Sequence, residues 1–319
     1  MRKLLSAVTA VVASVSLVSC GLGTGGGFTP SGELAGEVSE IDLDGLNIAV
    51  GSKNFTEQIL LGKIAVVLFQ SAGANVNDLT NIPGSTSSRQ AQITGDVDFG
   101  FEYTGTAWIT YLGETDPIPD EQAQYEAVRD ADLAQNDLVW LPPAPMNNTY
   151  SMAVTRENAE EYGLETLGDI AKLPPEKQTY CVEGEFNARN DGFGPMLEAY
   201  ELTPPDSGRL SIVDTGAIYA AIDGGTCTMG EVFLTDGRIP ALDLVALDDP
   251  RSFFPKYNMA PVIDREVLEE YPQIADLLQP ITEDLTNERM QELNARVDVA
   301  GEDYADVAYE YLVELGVVE

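Results

Sequence analysis

The chain has 319 residues, 44% of them hydrophobic, and sets 53 acidic against 17 basic residues with no histidine, a formal net charge of -36. That length buries a substantial core and suits two domains, and so acidic a surface repels nucleic acid. Without histidine, and with only three cysteines, Ser-His-Asp and Cys-His catalysis are excluded in their usual forms, and zinc, copper and haem lose their ligand set. No metal or cofactor is expected.

Arg2 and Lys3 precede an apolar segment over 4–18 that ends in Leu17-Val18-Ser19-Cys20. It is too short to span a bilayer and reads as a signal peptide covering 1–20. Its last four residues resemble the bacterial lipobox, so Cys20 is expected to become the lipid-carrying first residue; a cut elsewhere would leave it a spare thiol. Loss of Arg2 and Lys3 leaves 15 basic residues against 53 acidic ones, or -38. The Gly- and Ser-rich residues 21–44 read as a flexible tether. No later apolar run is long enough to cross a membrane, so the body is expected outside the cytoplasmic membrane, anchored by lipid alone.

From residue 46 onward short apolar runs alternate with helical ones. A strand at 47–50 leads through Ser52-Lys53-Asn54-Phe55-Thr56-Glu57-Gln58 into a helix at 58–71. Asn54 is placed to cap that helix while Glu57 reaches back to the cap amide, which would gather backbone N–H groups and the Lys53 ammonium at one helix start, a site for a small anion. A helix at 85–94, a strand at 97–101, a helix at 120–134 and a strand at 138–141 continue the βαβ grammar of an open sheet, whose ligands gather beyond the strands' carboxyl ends. Near 146–152 the chain enters a second domain of alternating strands and helices, and near 252–260 it leaves again. Its last part is nearly all helical and should pack back on the first sheet. The expected division is a first lobe over 45–149, an inserted lobe over 150–255 and a helical return over 256–319. In an oxidising setting Cys181 and Cys227 are expected to bridge, a loop worth roughly 4 kcal/mol on the chain-entropy model; two buried thiols are the alternative.

Six segments then carry a resemblance, in order: Ser52 through Gln58, Glu102-Tyr103-Thr104-Gly105-Thr106, Asn148-Thr149-Tyr150, Glu185-Phe186-Asn187-Ala188-Arg189-Asn190-Asp191-Gly192, Thr235-Asp236-Gly237-Arg238-Ile239 and Phe254-Pro255-Lys256-Tyr257. Together they resemble the substrate-binding proteins of ABC importers for glycine betaine, choline, carnitine and related quaternary amines. The likeness implies a type II periplasmic-binding-protein fold, two α/β lobes closing on ligand about a hinge. It implies a monomer that serves an ABC permease and catalyses nothing. By motif position, a box for the methylated head would consist of Tyr103, Tyr150, Phe233 and Tyr257. A carboxylate tail would meet Lys53, Thr106 and Arg189. The family often has Tyr where this chain has Phe233, which keeps the ring face and loses the hydroxyl.

The chemistry fits such a ligand. A quaternary ammonium has no N–H to donate, so ring faces recognise it better than hydrogen-bond acceptors do. Four rings at ~0.5 to 2 kcal/mol each supply about 2 to 8 kcal/mol, while micromolar binding needs about 8 kcal/mol net. Lobe closure and the carboxylate contacts must then add the rest. Lys53 and Arg189 have a second reading as structural ion-pair partners in so acidic a chain. Two rivals stand beside this one: the same fold holding an amino acid or another cation, which would need carboxylates in the cleft where the motifs offer rings, and a secreted hydrolase, for which no paired carboxylates stand out.

Overall fold

A computed structural model of the protein describes residues 29–319, so residues 1–20, read from the sequence as a signal peptide ending at Cys20, lie outside the described residues. The chain begins with β1 (Asn47–Lys53), α1 (Thr56–Ser71), β2 (Asn75–Ile82), α2 (Ser85–Ile93), β3 (Phe99–Tyr103), the single turn α3 (Thr104–Thr106), α4 (Glu121–Asn136) and β4 (Leu138–Trp140). Every residue of α1 from Leu60 to Phe69 is buried. A helix apolar all round belongs at the centre of a domain. The start of α4 is fixed by Asp120, whose carboxylate accepts the Ala123 N–H at 2.8 Å.

The second set of elements comprises β5 (Tyr150–Thr155), α5 (Arg156–Tyr162), β6 (Tyr180–Val182), α6 (Gly184–Ala188), α7 (Phe193–Ala199), β7 (Leu210–Ile212), α8 (Thr215–Asp223), β8 (Met229–Phe233), α9 (Arg238–Ala241) and β9 (Leu244–Ala246). Then β10 (Met259–Asp264) returns, followed by α10 (Arg265–Glu270), α11 (Ile274–Asp284), α12 (Asn287–Asp298) and α13 (Tyr304–Leu315).

Among the described residues these strands make two five-stranded sheets, ordered β2-β1-β3-β10-β4 and β7-β6-β8-β5-β9. β1 lies parallel to β2 and β3, and the returning β10 runs antiparallel between β3 and β4. That return brings the terminal helices home, with α13 packed on α1. Each sheet with its helices is one α/β lobe. The two crossings between lobes lie side by side, bridged at Asn147 and Asn258. A pair of short connecting segments is the usual form of a hinge.

Two sequence expectations change. Patterning does not reveal β2, because as an edge strand it buries only Thr80 and so carries mostly polar residues. Residues 33–44, read from composition as tether, are docked: the Glu33 and Ala35 N–H groups donate to the carbonyls of Glu319 and Val317, and Val38 and Leu43 are buried. Apolar residues spaced at 34, 38, 41 and 43 make this packing possible.

In the second lobe Cys181 of β6 and Cys227, ahead of β8, are joined by a disulfide with their Cα atoms 5.8 Å apart. Behind the same strands Glu231 is buried, and loss of water pushes its carboxyl up to about 8, although the Glu183 N–H donates to it at 2.8 Å. The folded chain therefore holds a proton that the unfolded chain releases above about pH 4.3. Stability from this group is complete below that value and falls as pH rises toward 8. Glu231→Gln is expected to flatten the decline, keeping on the order of a few kcal/mol at pH 8 relative to wild type. Urea unfolding at pH 5 and pH 8 measures it; parallel slopes in the two proteins would refute the assignment.

Candidate ligand-binding site

The sheets place the candidate residues by their strand ends. Lys53 is the last residue of β1, Tyr103 of β3 and Phe233 of β8, while Tyr150 opens β5 directly opposite Phe233 in antiparallel register. Tyr257 lies two residues before Met259, which pairs with Tyr103. The carboxyl ends of parallel strands are where open α/β sheets gather ligands, and here two such edges face each other. Between them lies a cavity of about 710 Å³. All seven residues singled out from the sequence line it: Lys53, Tyr103, Thr106, Tyr150, Arg189, Phe233 and Tyr257.

Four of those seven supply rings, and a fifth ring links them. Phe55 has its ring centroid 6.3 Å from Tyr103 and 5.4 Å from Phe233. Phe233 lies 5.1 Å from Tyr150, which meets Tyr257 edge-on at 5.3 Å. The rings thus run as one chain from the first lobe, through the second, to the crossing segment. Sequence reasoning missed Phe55, although an aromatic side chain in the turn between a strand end and a helix start is the signal that would have found it. Gly105 is needed for this packing. A Cβ there would lie 2.7 Å from the Lys256 carbonyl and 2.8 Å from the Tyr257 ring.

The expected cap on α1 is not formed. Phe55 is the N-cap and gives no side-chain bond; Asn54 instead accepts the Gly84 N–H at 3.1 Å. Glu57 turns into the cavity wall. Its Oε1 accepts from the Tyr103 hydroxyl at 2.6 Å and from Asn148 Nδ2 at 2.8 Å. Its Oε2 accepts from the Thr235 hydroxyl and from Asn294 Nδ2. Four donors from separate segments offer a carboxylate more than one cap amide could, which is why the local capping pattern loses to tertiary contacts. Burial lifts the Glu57 pKa above the ordinary carboxylate value against the pull of Thr235, Tyr103, Asn294 and Asn148. The expectation that the cleft offers rings in place of carboxylates is thus corrected, because it offers both.

The basic residues are already paired. Lys53 Nζ lies 2.7 Å from Glu102 and 4.7 Å from the Tyr103 ring centroid. Arg189 grips Asp191 with two bonds of 2.7 and 2.6 Å, touches Glu185 at 3.4 Å and stands over the Tyr150 ring. Arg238 pairs with Asp236 and Asp298. On the far side of the cavity the lobes meet where Glu185 accepts the Ser85 N–H at 3.1 Å. Burial alone would raise the Glu185 pKa, but Ser85 and Arg189 outweigh it and hold the group low. Burial raises the phenols of Tyr103, Tyr150 and Tyr257, so each ring keeps its proton at neutral pH.

Two hinged α/β lobes enclosing a cavity lined by rings and paired charges define a solute-binding protein. The chain belongs to the family described as the substrate-binding domain of the ABC-type glycine betaine transport system, which matches residues 47–314. It is 38% identical over 277 residues to a glycine-betaine-binding protein of Pseudomonas aeruginosa, covering 84% of this chain and 87% of that one. It is 31% identical over 270 residues to the ergothioneine transport permease/binding protein EgtU of Helicobacter pylori, covering 84% of this chain and 48% of that longer one. Among solved structures, apo YehZ from Escherichia coli superposes with a TM-score of 0.66 at 33% identity, over 85% of this chain and 99% of that one. The family is one of transport binding domains and not of catalysts.

Proposed function

We propose that the protein is an extracytoplasmic receptor, anchored through lipid on Cys20, that captures a quaternary-amine compatible solute of the glycine betaine, carnitine or choline type. It closes on the solute and delivers it to an ABC permease, which serves osmoprotection. The observation that carries this reading is the chain of five rings around one interlobe cavity, since methylated cations bind ring faces. A carboxylate tail would sit among Lys53, Thr106 and Arg189, sharing the two cations with Glu102 and Asp191.

Thermal shift and calorimetry with glycine betaine, proline betaine, carnitine, choline and ectoine test the reading. At least one trimethylammonium compound is expected to raise the melting temperature and bind with a Kd of about 1 µM to 1 mM. No shift with any of them would sink the proposal. A second reading, a bulkier betaine, is favoured by the cavity of about 710 Å³, which is ample for a ligand larger than a trimethylammonium head. Adding ergothioneine to the panel separates the two.

A further inference from the structure

Glu57, Glu183 and Asp214 line the cavity without a basic ion-pair partner among the described residues, and of the three only Glu57 is buried. Three basic residues line the cavity, and each is matched by its own acids: Lys53 by Glu102, Arg189 by Asp191 and Glu185, and Arg238 by Asp236 and Asp298. Glu57 is 3% exposed, and among the described residues no lysine or arginine forms an ion pair with it. Its four partners are two hydroxyls and two amide nitrogens, one of each kind on either oxygen. Amide nitrogens only donate, so this set fits an ionised carboxylate.

The surroundings of Glu57 are short of donors in a second way. Asn148 and Asn294 turn their NH₂ groups to Glu57, and flipping either amide would set oxygen against oxygen. Their carbonyl oxygens, Oδ1 in each, are buried without a hydrogen-bond partner, and both side chains line the cavity. A buried carboxylate without a counter-ion is costly, and so are buried acceptors without donors. A positive group in the cavity balances the carboxylate by charge and is attracted by the two carbonyl dipoles, although a methylated one donates no hydrogen bond to them.

We infer that Glu57 is the countercharge for the ligand's cationic group, set one hydrogen bond behind the Tyr103 ring. The inference rests on the proposed binding of a methylated cation and adds the residue that makes the rings selective for charge. Tyr103 is the link. Its hydroxyl donates to Glu57 while its ring lines the cavity, and a phenol donating to an anion becomes more electron-rich, strengthening its attraction for a cation. Without Glu57 the rings would remain a greasy box that takes a cation and its neutral isostere more nearly alike.

Calorimetry with choline and with its uncharged carbon isostere, 3,3-dimethyl-1-butanol, read by competition where binding is weak, tests this. Wild type is expected to prefer choline by about tenfold or more. Glu57→Gln, similar in size but uncharged, is expected to cut that preference about tenfold while the affinity for the isostere changes less than about threefold. Because the readout is a ratio within one variant, general damage to packing lowers both affinities and leaves the ratio alone. Tyr103→Phe keeps the ring and removes the hydroxyl, so it provides the same comparison should Glu57→Gln fail to fold; choline is expected to weaken severalfold and the isostere to hold. A ratio unchanged from wild type in the folded variants overturns the role of Glu57 alone. If wild type binds no methylated cation, the proposed function fails first and this inference with it.

Discussion

Tyr150→Leu is expected to weaken binding of glycine betaine or choline by about 30-fold, the loss of ~2 kcal/mol from one well-enclosed cation–π contact. The effect is large because Tyr150 is the junction of the ring chain. It touches Phe186, Phe233, Phe254 and Tyr257, with centroids 4.8 to 5.9 Å away, and Arg189 stands over its face. Leucine fills much of the same space, so packing is largely kept while the π face is lost. Tyr150→Phe should stay within about threefold of wild type, because the ring face and not the hydroxyl is at work. Calorimetry decides; if leucine binds as tightly as tyrosine, Tyr150 is a packing residue and no wall of the site.

Replacing Cys181 and Cys227 together by alanine is expected to cost about 4 kcal/mol of stability, the chain-entropy value for a loop of this size. At roughly 2 to 4 °C per kcal/mol the melting temperature should fall by about 10 °C. Both residues are buried in a satellite core with Ile218, Tyr219, Ile222 and Val232. The bridge therefore ties β6 to the segment entering β8, the strand that ends at Phe233. Ligand affinity should hardly change, since neither cysteine lines the cavity. Denaturant unfolding of the double variant, with a thiol count on wild type, tests both parts; two free thiols in the native protein would refute the bridge.

Much of the candidate site was legible in the sequence, in that the seven residues singled out there line one cavity. Tyr103, Tyr150 and Tyr257 occur in segments of recognisable composition, and such segments sit at strand ends where a ligand must approach. Phe55 and Glu57 lie inside the same first segment and were read locally, Glu57 as a helix cap. Local reading failed there because a carboxylate takes the partners that give it the most hydrogen bonds, and those come from residues 91 to 237 positions away as well as from Tyr103. Lys53 and Arg189 illustrate the same point for charge. Sequence allowed either a ligand contact or an ion pair, and the fold gives each a buried acidic partner.

From the order of residues alone come the alternation of apolar runs that makes two α/β lobes, the aromatic composition of the motifs, and the strongly acidic balance of charge. These follow from short-range rules of periodicity and from sums over the chain. Tertiary structure alone decided which carboxylates stand beside which cations, that Phe55 closes the gap between Tyr103 and Phe233, and that among the described residues no lysine or arginine pairs with Glu57. The reason is physical: Coulomb and ring contacts act over a few ångströms in space, and positions that far apart in the chain become neighbours only after both sheets have formed.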